Sequence, residues 1–143
     1  MSQVVAIAGA TGAVGTEFIK LLEQRNYPLQ KLKLLASARS VGKQLRFREQ
    51  TLSVEELRPE AFQDVDVAFF SAGGDRSKEF APAAVEAGAM VIDNSSAFRM
   101  DDGVPLVVPE INAEAVRRHK RLIANPNCST IQMVVALNPL HQE

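Results

Sequence analysis

The sequence predicts an α/β fold, doubly wound around a mostly parallel sheet, and three observations carry that expectation. Short β-branched apolar runs alternate with stretches of helical periodicity. A glycine-rich turn joins the first run to the first helix, and a later run ends in a second small-residue turn, Ser71-Ala72-Gly73-Gly74. Strands that alternate with helices require crossover connections, and crossovers place parallel neighbours in a sheet covered on both faces.

Residues 4–8 (VVAIA) form a buried-strand candidate, followed by the turn Gly9-Ala-Thr-Gly12-Ala-Val-Gly15. Val14, Phe18, Leu21 and Leu22 then fall on one helical face, and residues 26–28 end that helix. A second strand is expected over 31–37, and residues 42–54 read as short, partly polar strands or a hairpin. Residues 65–71 run apolar into the second small-residue turn. The helix after it has Asp75 or Ser77 near its N-terminus, Pro82 in its first turns and Gly88 as its stop. Residues 90–93 give another short strand, 94–109 are loop-rich apart from 106–108, 113–119 look helical, and 122–124 form a last short strand. After Asn125-Pro-Asn-Cys128, the residues Ile131, Val134, Val135 and Ala136 suggest a helix that Pro139 interrupts or ends.

A chain of 143 residues fits a single domain. Its 46% hydrophobic and 23% charged residues are ordinary for a soluble globular protein, and 16 basic against 17 acidic side chains leave a formal charge of −1. Such a balance gives nucleic acid no electrostatic footprint. The one basic cluster, Arg117, Arg118, Lys120 and Arg121 around His119, reads as a solvated helix end favoured by the helix dipole. One cysteine excludes an intrachain disulfide and points to a reducing, cytoplasmic setting. No metal-ligand cluster is visible, no basic residue precedes the first apolar run as a secretory signal requires, and no apolar run approaches the ~18 residues of a membrane span.

Gly9, Gly12 and Gly15 sit between a strand and a helix, where a tight turn and a helix N-terminus together suit a pyrophosphate. Their spacing departs by one position from the dinucleotide fingerprint, so a plain turn is the alternative. At the end of the second strand, where NAD-binding domains offer a carboxylate to the ribose, this chain has Ser37-Ala38-Arg39-Ser40. A guanidinium and two hydroxyls suit a 2′-phosphate, which makes NADP the preferred cofactor; a solvated Arg39 is the competing reading. Ser71 to Gly74 lie where ligands collect in open sheets, or form a simple strand-to-helix turn. A lone cysteine is most often a small buried hydrophobe. Cys128, however, falls at a strand-to-helix junction, where free N–H groups would stabilise a thiolate and then hold an oxyanion. Neither His119 nor His141 is well placed as its base, and both read as surface residues.

Six motifs occur in order: GATGAVG at 9–15, SARS at 37–40, FSAGG at 70–74, DNSSAFRMD at 93–101, VPEIN at 108–112 and NPNCST at 125–130. Together they resemble the aspartate-semialdehyde dehydrogenase family along essentially the whole chain. The resemblance implies a Rossmann-type cofactor domain. It also implies NADP-dependent reductive dephosphorylation of L-aspartyl 4-phosphate to L-aspartate 4-semialdehyde through a cysteine acyl-thioester. That reaction lies on the diaminopimelate and lysine, threonine, methionine and isoleucine routes. Carried over by position, Cys128 is the nucleophile, Asn127 positions the acyl group and Arg99 binds phosphate. Gly9, Thr11, Gly12, Ala13 and Val14 hold the pyrophosphate, and Ser37, Arg39 and Ser40 the 2′-phosphate. Ser71, Ala72 and Gly73 meet the cofactor further along, with Asn94 lining the same cleft.

In this family the acid–base histidine, a glutamine near the thioester and the arginine for the substrate carboxylate lie beyond the cysteine, in a second α+β domain that also forms the homodimer or tetramer. The expectation is therefore a fragment lacking that domain. Residues 1–127 would be the NADP-binding domain and 128–143 the start of the catalytic and dimerisation domain. Alone, it is expected to bind NADP weakly without turning over. Two rivals are a N-acetyl-gamma-glutamyl-phosphate reductase, whose cysteine normally follows glycine and precedes tyrosine, and a non-catalytic NADP-binding module in which Cys128 merely packs.

Overall fold

The computed structural model describes residues 3–143. The chain runs β1 (Gln3–Ala8), α1 (Ala13–Gln24), β2 (Leu29–Ala36), β3 (Gln44–Phe47), β4 (Gln50–Glu56), β5 (Val67–Phe70), α2 (Gly74–Glu86) and β6 (Met90–Asp93), then α3 (Pro109–Asn112), β7 (Leu122–Ala124) and α4 (Cys128–Gln142). Short 3₁₀ turns span Ala38–Ser40, Pro59–Phe62 and Ala113–Arg118.

The strands form one seven-stranded sheet in the order β3-β4-β2-β1-β5-β6-β7. Every strand pairing is parallel except the β3–β4 hairpin at one edge. β1 has β2 on one side and β5 on the other. Strand order therefore reverses at β1, and a crevice opens at the carboxyl ends there.

β1 is buried on both faces over Val5–Ala8, where its side chains alternate in size. Val5 and Ile7 join a core with Ile19 and Leu22 of α1, Phe47 and Val54. Ala6 and Ala8 face the opposite core, with Phe62, Phe70 and the α2 residues Phe80, Ala81 and Ala84. Because successive strand residues point to opposite faces, α1 and α2 lie on opposite sides of the sheet.

Three helical expectations need correction. The buried stripe of α1 is Gly15, Ile19 and Leu22, with Phe18 stacked on Phe69 at 5.0 Å between ring centroids. Val14 and Leu21, expected on that face, are 43% and 39% exposed. The cause is Gly15: a Cβ there would collide with the Gly9 carbonyl oxygen. That contact fixes the rotation of the helix and rolls Val14 outward. In α2, Pro82 lies in the helix body instead of its first turns. Pro82 and Lys78, whose carbonyl loses its usual partner, both face solvent, so the break in the hydrogen-bond ladder costs little. Pro139 likewise neither interrupts nor ends α4, which runs on to Gln142. No residue of α4 is buried, so the carbonyl left unpaired by Pro139 can meet water.

A polar seam ties the carboxyl ends of β6 and β7. Asp93 is fully buried; its carboxylate accepts from Ser77 Oγ at 2.7 Å, Ser95 Oγ at 2.6 Å and Ser95 N–H at 3.1 Å. Ser77 thus serves this network, and the α2 N-terminus has no side-chain cap. Asn125 Nδ2 donates to Asn94 Oδ1 at 2.7 Å. Arg99 spans the same gap, donating from Nε to the Asn125 carbonyl and from a terminal nitrogen to the Asn94 carbonyl, each at 3.0 Å. The described helices include none long and apolar enough to cross a membrane.

Candidate cofactor cleft and cysteine site

The crevice at the reversal point is a cleft of about 680 Å³. Its walls come from the residues that follow β1, β2, β4 and β5 and from the start of α2. Gly9 bends away from β1 at φ 91°, and a Cβ there would lie 2.5 Å from the Ser71 carbonyl oxygen. Only glycine lets the ends of β1 and β5 approach so closely. Thr11 and Gly12 continue the wall, and α1 starts with Gly12 as an N-cap that supplies no side-chain hydrogen bond. An uncapped helix start next to a glycine cradle offers donor N–H groups and a positive dipole end to an anion.

Ser37 and Arg39 line the same cleft from the turn after β2, and Ser71 and Ala72 from the end of β5. Arg39 makes no ion pair among the described residues, which leaves its guanidinium uncommitted. Ser40 is turned inward, 5% exposed, and accepts a long 3.4 Å hydrogen bond from Thr11 Oγ1. It is not part of the cleft wall, in contrast to the role the motif suggested. Ala13 and Val14 sit outside the wall on the exposed first turn of α1, and Gly73, at φ 92°, is the N-cap of α2. Asn94 belongs to the β6–β7 seam, as does Arg99, whose guanidinium is held by two backbone carbonyls.

Four cleft residues had no place in the sequence reading: Glu56, Leu57, Arg76 and Phe80. Glu56 and Leu57 come at the carboxyl end of β4, and Arg76 lies just beyond the flagged turn. Proximity to strand ends was the available signal. Asn125 and Asp93 also lay within quoted motifs, but their partners come from elsewhere in the chain.

Cys128 is exposed and is the first residue of α4, directly after β7. Asn127 is the N-cap, its Oδ1 accepting from Ser129 N–H at 3.0 Å and Thr130 N–H at 3.3 Å. These N–H groups were expected to be free for a thiolate and an oxyanion; the asparagine side chain occupies them instead. Asn127 thereby turns its Oδ1 toward the helix and leaves its Nδ2 edge for other acceptors. The thiol does not line the cleft. β7 lies three strands from β1 in the sheet. At ~4.8 Å per strand that is about 14 Å along one carboxyl edge. Among the described residues no group of three His, Cys, Asp or Glu could hold a metal ion.

The family model described as "Semialdehyde dehydrogenase, NAD binding domain" matches residues 4–119. Aspartate-semialdehyde dehydrogenase of Bacillus subtilis is 55% identical over 138 residues, covering 96% of this chain and 40% of that protein. Aspartate semialdehyde dehydrogenase II of Vibrio cholerae superposes with a TM-score of 0.95 at 50% identity, over 99% of this chain and 47% of that one. The enzyme of Candida albicans, solved with NADP, gives 0.82 at 30% identity over 99% of this chain and 47% of that one. The chain thus spans about 40% of the length of the curated relatives it matches. With the glycine cradle at the strand-order reversal and a match over most of its length, this chain belongs to the semialdehyde dehydrogenase NAD-binding domain family.

Proposed function

We propose that this chain forms the NADP-binding part of an aspartate-semialdehyde dehydrogenase and carries its nucleophile, Cys128. The observation that carries the reading is the shared edge. The glycine cradle, Arg39 and Ser71 surround one cleft, and an exposed thiol follows β7 at the same carboxyl edge of the sheet. The domain division at residue 128 has support in α4, which contributes no buried residue to either main core.

The cradle fits a dinucleotide: Gly9 and Gly15 admit backbone where a Cβ would collide, and the start of α1 faces the anion without a cap of its own. In this proposal Gly9, Thr11 and Gly12 hold the pyrophosphate. Arg39 with Ser37 takes the 2′-phosphate, for which a carboxylate at that position would be repulsive. Ser71 and Ala72 support the cofactor beyond the pyrophosphate. When bound, the cofactor supplies the hydride that the reduction requires.

As the thiolate, its proton given up to water, Cys128 attacks the carbonyl carbon of the acyl phosphate, a C–S bond forms, and inorganic phosphate leaves with the electrons of the broken C–O bond. Asn127 Nδ2, oriented because its Oδ1 is fixed on the helix, donates to the acyl oxygen. Arg99 is presented by the Asn94 and Asn125 carbonyls, which use two of its five donors and keep its charge near the leaving phosphate.

The test is a calorimetric titration of the chain with NADP and NAD, wild type against Arg39→Ala. Wild type is expected to prefer NADP by at least tenfold, the size of a charge-assisted hydrogen bond at ~1.5 kcal/mol or more. The variant should lose that preference while retaining NAD binding. Equal affinity of the wild type for both cofactors would remove NADP from the proposal.

A further inference from the structure

The cleft has two chemically different walls. Toward α1 it offers Gly9, Thr11 and Gly12, a cradle for phosphate. Toward α2 it offers Leu57 and Phe80, each only 7% exposed and both part of the α2-side core, with Arg76 above them. The exposed Arg76 side chain has two neighbours on its own helix. A terminal guanidinium nitrogen donates to Glu79 Oε2 at 2.8 Å, and the guanidinium carbon lies 6.0 Å from the Phe80 ring centroid.

A planar, weakly hydrated cation over an apolar wall is a stacking surface for a flat heterocycle. Sheet pairing says which heterocycle. Ala36 pairs with Glu56, so Leu57 stands beside Ser37 and the turn that carries Arg39. A base attached to a ribose at Arg39 therefore lies next to Leu57. The other base must extend across the pyrophosphate toward β6 and β7, where Cys128 stands. Glu56 also lines the cleft, but its carboxylate is engaged by Arg58 at 3.3 Å, which lessens its repulsion of phosphate.

We propose that Arg76 is an affinity residue for the cofactor's adenine: the ring lies against Leu57 and Phe80, and the guanidinium plane closes over it. This rests on the cleft being the dinucleotide site. It separates two arginine roles. Arg39, without an ion-pair partner among the described residues, reads the 2′-phosphate. Arg76, partly neutralised by Glu79, reads the base.

Titration of the 143-residue chain with NADP, NAD and AMP tests the assignment in wild type, Arg76→Ala and Arg76→Lys. Arg76→Ala should weaken all three by a common factor of about five to ten, the scale of a stacked cation, and leave the NADP-to-NAD ratio unchanged. Arg76→Lys keeps the charge without the plane and should remain weakened. Arg76 is exposed, so both variants should melt as the wild type does. Unchanged affinities in Arg76→Ala, a loss confined to NADP, or full affinity in Arg76→Lys would each overturn the adenine role while leaving the cofactor site standing. A wild type that binds none of the three overturns the site itself, and this assignment with it.

Discussion

Gly15 shows how one residue can be legible as a type and illegible as a cause. Its place in a glycine turn reads directly from the sequence, but its contact with the Gly9 carbonyl needs the loop closed back on the helix. That contact sets which side chains of α1 are buried, and it defeats a helical-face assignment made from hydrophobicity alone. Gly15→Ala should therefore cost about 1–3 kcal/mol by overpacking, despite the better helix propensity of alanine. Chemical denaturation checks it: a stabilised variant would mean the turn can relax. Ser40 and Arg99 teach the same point for polar groups. Both belong to motifs that suggest ligand contacts. The hydrogen bonds that set their positions come from elsewhere in the chain: Ser40 accepts from Thr11, 29 residues away, and Arg99 donates to the carbonyl of Asn125, 26 residues away.

At the scale of elements, α4 differs from α1 and α2. Those two start without side-chain caps and bury Ile19 and Leu22, or Phe80, Ala81 and Ala84, in the two cores. α4 has a full asparagine cap and buries nothing. Isolated helices of about 12–15 residues are marginal in water, so local hydrogen bonding has to hold this one. Asn127→Ala removes the single oxygen that accepts from two N–H groups and should cost about 1 kcal/mol of local helix stability. Because no core residue is involved, hydrogen exchange across 128–142 should quicken while the melting midpoint of the sheet is unchanged. A drop in that midpoint would show α4 coupled to the core. β1, β5, β6 and β7 were readable because each is a short apolar run leading into glycine or a small polar residue, whereas the partly polar β3 and β4 read only as short strands or a hairpin. The Asp93 network was not readable, because Ser77 reaches it from a helix that precedes β6 in the chain and packs against it only once folded.

For the molecule as a whole, the fold class was legible because crossovers between parallel strands leave few topologies. The position of the cleft then followed from the glycine turn. Its second wall did not, since placing Arg76 and Phe80 beside Leu57 requires knowing that α2 covers the face to which Ala6 and Ala8 point. The second half of β1, Val5–Ala8, carries that information as parity, with large side chains toward one layer and small ones toward the other. The fourfold exchange Val5→Ala, Ala6→Val, Ile7→Ala and Ala8→Ile preserves composition and total hydrophobicity but inverts the code. Each large-to-small step costs ~1–5 kcal/mol against a total stability of about 5–15 kcal/mol. Overfilling on the opposite face adds to the loss. The exchanged chain should show no cooperative melt by circular dichroism; a transition like the wild type's would show that size alternation in β1 is incidental. A handful of side-chain carbons, moved through one ribbon of backbone to its other face, decide which helix may lie above it and which below.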